Sequence, residues 1–218
     1  MKVIKTIVKA LGFILLGLMI LLALSFGLIS YQTSRSQISY QEEIYKYSDK
    51  YNIDPLLTAS IIKVESDFDN NAQSHQGAHG LMQLLEDTAM HSADLVGLSY
   101  YPDKLNEVDY NLDLGVGYFN YLYSYYGNID LALAAYNGGV GNVDSWIEDG
   151  IIDKNKPNHL DIPFEETRQY VTKVNSNYEV MKKFYKEGLP NNDQLSNLKT
   201  LSIRNFKIFL KDIANNVR

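Results

Sequence analysis

The chain has 218 residues, 45% of them hydrophobic and 21% charged, enough to bury the core of one ordinary domain. It contains no cysteine, which excludes disulfides, a Cys-based metal site and a lipid-modified N-terminal Cys as an anchor. With Lys2, Lys5 and Lys9 set aside, 17 basic residues face 26 acidic ones, a net charge of −9 that repels nucleic acid and argues against its being a partner.

Residues 10–30 carry no charge and run through Leu, Ile, Phe, Met, Gly and Ala, about the 20 residues a helix needs to cross hydrocarbon. The three lysines before them, with no acidic residue, predict a short cytoplasmic segment over 1–9 and place everything after Ser30 outside the membrane. A cleaved signal peptide is the competing reading; its apolar region is usually shorter, about 7 to 15 residues, and ends at a small-residue site. The expected organisation is therefore a transmembrane anchor over 10–30, a helical domain over 31–187 and a helical extension over 188–218.

Outside the membrane the elements read as helices in series. Ser36 to Lys50 is loosely amphipathic, with Ile38, Tyr45 and Tyr47 among charged residues. Asp54-Pro55 is a helix start, since Asp accepts from orphan amides and Pro fits the first helical position. The helix that follows runs to about Ser66, and its apolar residues, from Leu56 to Val64, lie almost all the way round, which predicts a central, buried element. Asn106 to Tyr126 has Leu112, Val116, Phe119, Leu122 and Tyr123 at steps of three and four, with Gly127 as C-cap. Asp130 is expected to cap a short helix through Ala135, and Phe164 to Tyr185 gives a longer one with Tyr170, Val174, Tyr178 and Met181 on a face. After the break at Pro190 to Asp193, Leu195 to Val217 forms a basic amphipathic segment, read as a helix packed on the acidic domain or, alternatively, docked on an anionic membrane surface. No strand-like alternation of comparable length occurs, so the class is mainly α.

Glu65 stands out chemically. A carboxyl group serves as a general acid near neutral pH only if its pKa is lifted, and apolar burial lifts it by disfavouring the charged form. Glu65 follows a run of aliphatic residues and lies at the negative end of its helix dipole, so both effects push the same way. An isolated Glu at a helix end is more often simply solvated; what surrounds this one in sequence alters that expectation.

Glu65-Ser66-Asp67-Phe68, Gly77-Ala78-His79-Gly80-Leu81-Met82-Gln83-Leu84, Thr88-Ala89, Asn111 through Gly115 to Tyr118, Ala134-Ala135-Tyr136-Asn137-Gly138-Gly139 and Ile162-Pro163-Phe164-Glu165-Glu166-Thr167-Arg168-Gln169-Tyr170-Val171 together resemble the lytic transglycosylases with an SLT-type catalytic domain. The blocks occur in that family's order over roughly Ile38 to Tyr185. The resemblance implies a lysozyme-like helical fold related to goose-type lysozyme, and a substrate, the peptidoglycan glycan strand, cut between N-acetylmuramic acid and N-acetylglucosamine. Glu65 would protonate the glycosidic oxygen and then, as carboxylate, take a proton from the muramoyl C6 hydroxyl as it closes on C1, giving a 1,6-anhydro product. Because the substrate supplies its own nucleophile, one acid suffices where glycoside hydrolysis usually needs two; Asp67 and Asp69 remain nearby in sequence.

By the same resemblance, Gly80 permits close approach of a sugar, Met82 offers an apolar wall and Gln83 an amide for acetamido or hydroxyl groups. Tyr136 and Asn137 steady the acid and the neighbouring sugar, Tyr170 lines the cleft, and Ser66 donates to the sugar or organises its loop. Two family prolines are missing, with Asn70 and Glu86 at those positions, which predicts altered rigidity rather than lost chemistry. His75 and His79 are separated by Gly77 and lack a third ligand, so no metal or cofactor is implied. A hydrolytic muramidase on the same fold and a non-cleaving glycan-binding scaffold are the alternatives. The sequence identifies no protein partner.

Overall fold

The computed structural model describes residues 2–35, 38–185, 188–190 and 198–216, and all of its described regular elements are helices. They are α1 (Lys2–Arg35), α2 (Gln41–Tyr51), α3 (Pro55–Glu65), α4 (Glu86–Val96), α5 (Val108–Tyr126), α6 (Ile129–Gly138), α7 (Val140–Glu148), α8 (Glu165–Phe184) and α9 (Leu198–Asn216). Two compact units result, one made of Met1–Ile38 with Pro190–Arg218, the other of Ser39–Leu189.

In the first unit α1 contains Lys9–Tyr31, 23 residues long and apolar enough to cross a membrane. α9 packs along α1: the Phe26 and Phe206 rings meet edge to face at 5.3 Å, and Asn205 donates to the Thr33 hydroxyl at 3.1 Å. The expected break at 191–193, and Leu195 and Val217 of the expected last helix, lie outside the described residues.

The second unit is built round α3. Leu56, Leu57, Thr58, Ala59, Ser60, Ile61 and Ile62 are all buried, as a helix apolar on every side requires, and it packs against α2 and α8. Asp54 accepts from the Leu56 amide and Pro55 occupies the first position, while the two polar side chains inside the core are satisfied locally, Ser60 by the Leu56 carbonyl and Thr58 by Ser48. α5 lies against α2, α4 and α6, and α8 closes the unit over α3 and α6.

Three sequence expectations are corrected. Asn128, not Asp130, caps α6, its side chain accepting from Leu131 N; Asp130 instead accepts from Asn175 and faces His159. α6 also continues beyond Ala135 to Gly138. α4 and α7 have no counterpart among the expected elements: the buried stripe of α4 is only Ala89, Ser92 and Ala93, and α7 starts inside a Gly-rich stretch that reads as a turn, burying only Val143 and Trp146.

Candidate active site

α3 ends on Glu65, and the chain at once leaves helical geometry, with Ser66 as C-cap and Asp67 and Phe68 both at positive φ (53° and 65°). Two consecutive non-glycine residues in the left-handed region are costly, and the turn turns the chain into an irregular loop, residues 66–85, that wraps back over the end of α3. Four side chains fix this loop. Asn111, buried on α5, accepts from Met82 N at 2.8 Å and donates to the His79 and Leu105 carbonyls at 3.0 and 2.8 Å. Ser66 donates to Leu81 O, Tyr136 to Met82 O (both 2.8 Å), and Gln83 through its amide nitrogen to Ala72 O and Gly80 O. Gly80, at φ 75°, is obligatory here, since a Cβ would run into the Asn111 side chain and come within 2.5 Å of the Leu105 carbonyl.

Between this loop, α4, the end of α6 and the start of α8 lies a cleft of about 300 Å³, lined by Glu65, Gln83, Tyr136 and Asn137 together with Ser74, Gln76, Thr88 and Glu166. Burial at its base pushes the Glu65 carboxyl from 4.5 up to about 7. Only the Tyr170 hydroxyl opposes this, by favouring the charged form. That hydroxyl is itself buried and forms no regular hydrogen bond, so its hold on the carboxyl is weak, and burial beside Glu65 raises the phenol well above its ordinary value. Tyr136 is raised in the same way. Among the described residues, Glu65 is thus a carboxyl beside two neutral phenols and no cation, able to hold a proton at neutral pH and give it to a ligand in the cleft.

The cleft brings Glu65, Gln83, Tyr136 and Asn137 together, with Tyr170 behind the carboxyl. Other sequence expectations are revised. Met82 is fully buried against Gly115, where a Cβ would come within 2.5 Å of its sulfur, so it is a core residue rather than a groove wall. Gln83 spends its amide nitrogen on loop carbonyls, leaving only its oxygen for a ligand. The Tyr136 hydroxyl serves the Met82 carbonyl, so its effect on the acid is one of burial and field. Ser66 organises the loop. Asp67 pairs with Lys63 and Asp69 accepts from Asn71 N, and neither lines the cleft. Glu86 takes the missing proline's place in the first turn of α4, where a carboxylate favours the helix dipole, while Asn70 bridges Tyr40 and the Asn106 carbonyl. Sequence reasoning passed over Glu166, although it stands four residues before Tyr170 on α8 and gives the cleft a second carboxyl group. It also passed over the hub role of Asn111, whose signal is a polar residue on the buried face of an apolar helix.

An all-helical core with a buried glutamate at the end of its central helix, opening into a polar cleft, defines a lysozyme-like fold. The chain belongs to the Transglycosylase SLT domain family, whose model matches residues 42–157. It is 32% identical over 150 residues to the soluble lytic murein transglycosylase of Salmonella typhimurium, a match covering 64% of this chain and 22% of that protein. It is 31% identical over 183 residues to the membrane-bound lytic murein transglycosylase C of Photorhabdus laumondii, covering 73% of this chain and 51% of that one. Among solved structures, an inactive mutant of the lytic transglycosylase Slt from Pseudomonas aeruginosa superposes with a TM-score of 0.61 at 29% identity, over 70% of this chain and 25% of that one. The 70-kDa soluble lytic transglycosylase in complex with bulgecin A gives 0.62 at 30% identity, over 69% and 25%. The chain spans about a fifth to a half of the length of these curated relatives.

Proposed function

We propose that this chain is a membrane-anchored peptidoglycan lytic transglycosylase that cleaves the glycan strand between N-acetylmuramic acid and N-acetylglucosamine. The reading rests on one observation above others: a glutamate lifted to about 7 by burial at the base of a polar cleft, in a chain of this family. Protonated Glu65 donates to the glycosidic oxygen as the bond to C1 breaks. The resulting carboxylate takes the proton of the muramoyl C6 hydroxyl while that oxygen bonds to C1, and Glu65 is restored to its starting form. Placement of a general acid at the right pKa is worth about 10²- to 10⁴-fold in rate. The apolar segment Lys9–Tyr31, preceded by lysines, anchors the chain once across the membrane with the catalytic unit on the outer side, facing the wall.

Glu166 favours a second reading, hydrolysis, because a second carboxyl lining the cleft is what a water-activating mechanism needs. Mass spectrometry of the fragments released from purified peptidoglycan separates the two. The transglycosylase yields 1,6-anhydro-muramoyl ends, loses them with Glu65→Gln and keeps them with Glu166→Gln. Reducing ends that disappear with Glu166→Gln would establish the hydrolase, and a wild-type protein that releases nothing would overturn both.

A further inference from the structure

The wall of the cleft continues into a row of tyrosines. Tyr136, which lines the cleft, packs on Tyr118 of α5 at 5.8 Å between ring centroids. Tyr118 is followed on the same helix face by Tyr121 and Tyr125, at 6.3 and 6.4 Å, with interplanar angles of only 19° and 23°. The row thus leaves the cleft and runs about 10 Å along α5. Parallel rings in van der Waals contact, about 3.5 Å apart, must be displaced sideways by about 5 Å to reach such centroid distances. At that offset the rings lie side by side with almost no overlap, so neither covers its neighbour's face. Tyr121 is 37% and Tyr125 50% exposed. His91 of α4 stands edge-on to Tyr118 and Tyr121, and the far end is held where Tyr125 and Tyr126 donate to Asp144.

Core packing explains Tyr118, which is buried, and Tyr126, whose hydroxyl is bound on α7, but it does not explain the exposure of Tyr121 and of Tyr125, beside whose ring the Lys154 ammonium stands 5.9 Å from the centroid. We propose that the exposed pair Tyr121 and Tyr125, seated on buried Tyr118, is a glycan-binding track that holds the polysaccharide beyond the cleft, the sugar rings lying on the two exposed tyrosines. The proposal rests on the glycan-cleaving function above and adds a binding site to it. Pyranose rings present flat faces of C–H groups and hydroxyls at their edges. The electron-rich face of a tyrosine attracts such C–H groups, and its stiff side chain loses little entropy on binding. Continuity with the cleft decides the occupant, because Tyr118 packs both on Tyr136, which lines the cleft, and on Tyr121, so the exposed pair begins one ring beyond the cleft wall.

Binding of the full chain in detergent to insoluble peptidoglycan tests this, in a Glu65→Gln background so that the polymer is not consumed. Replacing both exposed rings (Tyr121→Ala with Tyr125→Ala) is expected to weaken binding about tenfold, the equivalent of two modest ring contacts. The Tyr→Phe pair, which keeps the faces, retains binding and also controls for folding. With Glu65 intact, the Ala pair raises KM for polymeric peptidoglycan and leaves kcat unchanged. Unchanged binding by the Ala pair, equal losses in the Ala and Phe pairs, or no binding by the parent would each overturn the track. Cleavage by the wild-type chain is scored separately, so the track can fail while the catalytic reading stands. A protein partner lost with the Ala pair while peptidoglycan binding persists would assign the row to a protein interface instead.

Discussion

Two regions of the domain each set a carboxyl group beside tyrosine, with opposite results. Along the seam between α2 and α5, Asp109 accepts from Lys46 at 2.7 Å and from Tyr47 at 2.8 Å. One turn on, Asp113 takes Lys50 and Tyr51 in the same way. The cation and hydroxyl donors hold Asp109 below the usual carboxylate range, in water. At the end of α3 the carboxyl of Glu65 has, among the described residues, one weakly engaged phenol and no cation, and burial drives it to about 7. Residue type does not decide the charge state; the number of donors and access to water do. The first arrangement serves as a staple between helices, whereas the second keeps a proton available.

The contrast is sharpest on α5 itself, where Asn111 lies between Asp109 and Asp113 but faces the buried loop. Asn111→Ala removes three hydrogen bonds and strands the Met82 amide and the Leu105 carbonyl, the His79 carbonyl keeping the Leu84 amide; chemical denaturation should show a loss of about 3 kcal/mol or more, with loss of cleavage because the loop over Glu65 is released. Next in size is Glu65→Gln. The native pKa of Glu65 lies above its unfolded value of 4.5, so the folded state binds the proton more tightly. Stability from this group is complete below pH 4.5 and is lost as pH rises towards 7. At pH 8 the wild type therefore carries a buried charge that the variant lacks. Glu65→Gln should unfold at higher denaturant there, by at most about 3 kcal/mol, and this advantage should vanish near pH 4.

Smaller effects refine the comparison. Tyr170→Phe removes the group that favours the charged form, so the alkaline limb of the pH–rate profile, expected near pH 7, should move upward by a fraction of a unit with little change in stability. A downward shift would mean that Tyr170 acts as a donor to the protonated acid. Lys46→Met, on the exposed seam, should leave the melting temperature unchanged within error at physiological salt, because solvent screens such pairs.

The central part of this architecture is legible in the sequence because it is written in strong periodicities. Six apolar positions surround α3, Asp54-Pro55 starts it, and steps of three and four mark α5 and α8. α4 and α7 are not legible, since α4 buries alanines and a serine, and Gly138, Gly139 and Gly141 mask the start of a helix. At the site, the lifted acid is consistent with the aliphatic run before Glu65, since burial is what raises it. What escapes is the direction in which side chains spend their hydrogen bonds: Gln83 inward to Ala72 and Gly80, Tyr136 to Met82, Met82 under Gly115. Those depend on how the loop of residues 66–85 folds back, and no local periodicity encodes it.

The proton on Glu65 is the point on which the account turns. Titration of the full chain labelled with 13C at glutamate carboxyls, with Glu65→Gln assigning the resonance, should show this carboxyl changing charge near pH 7, well above the other glutamates. A midpoint near 4.5, together with undiminished cleavage at pH 7, would contradict it.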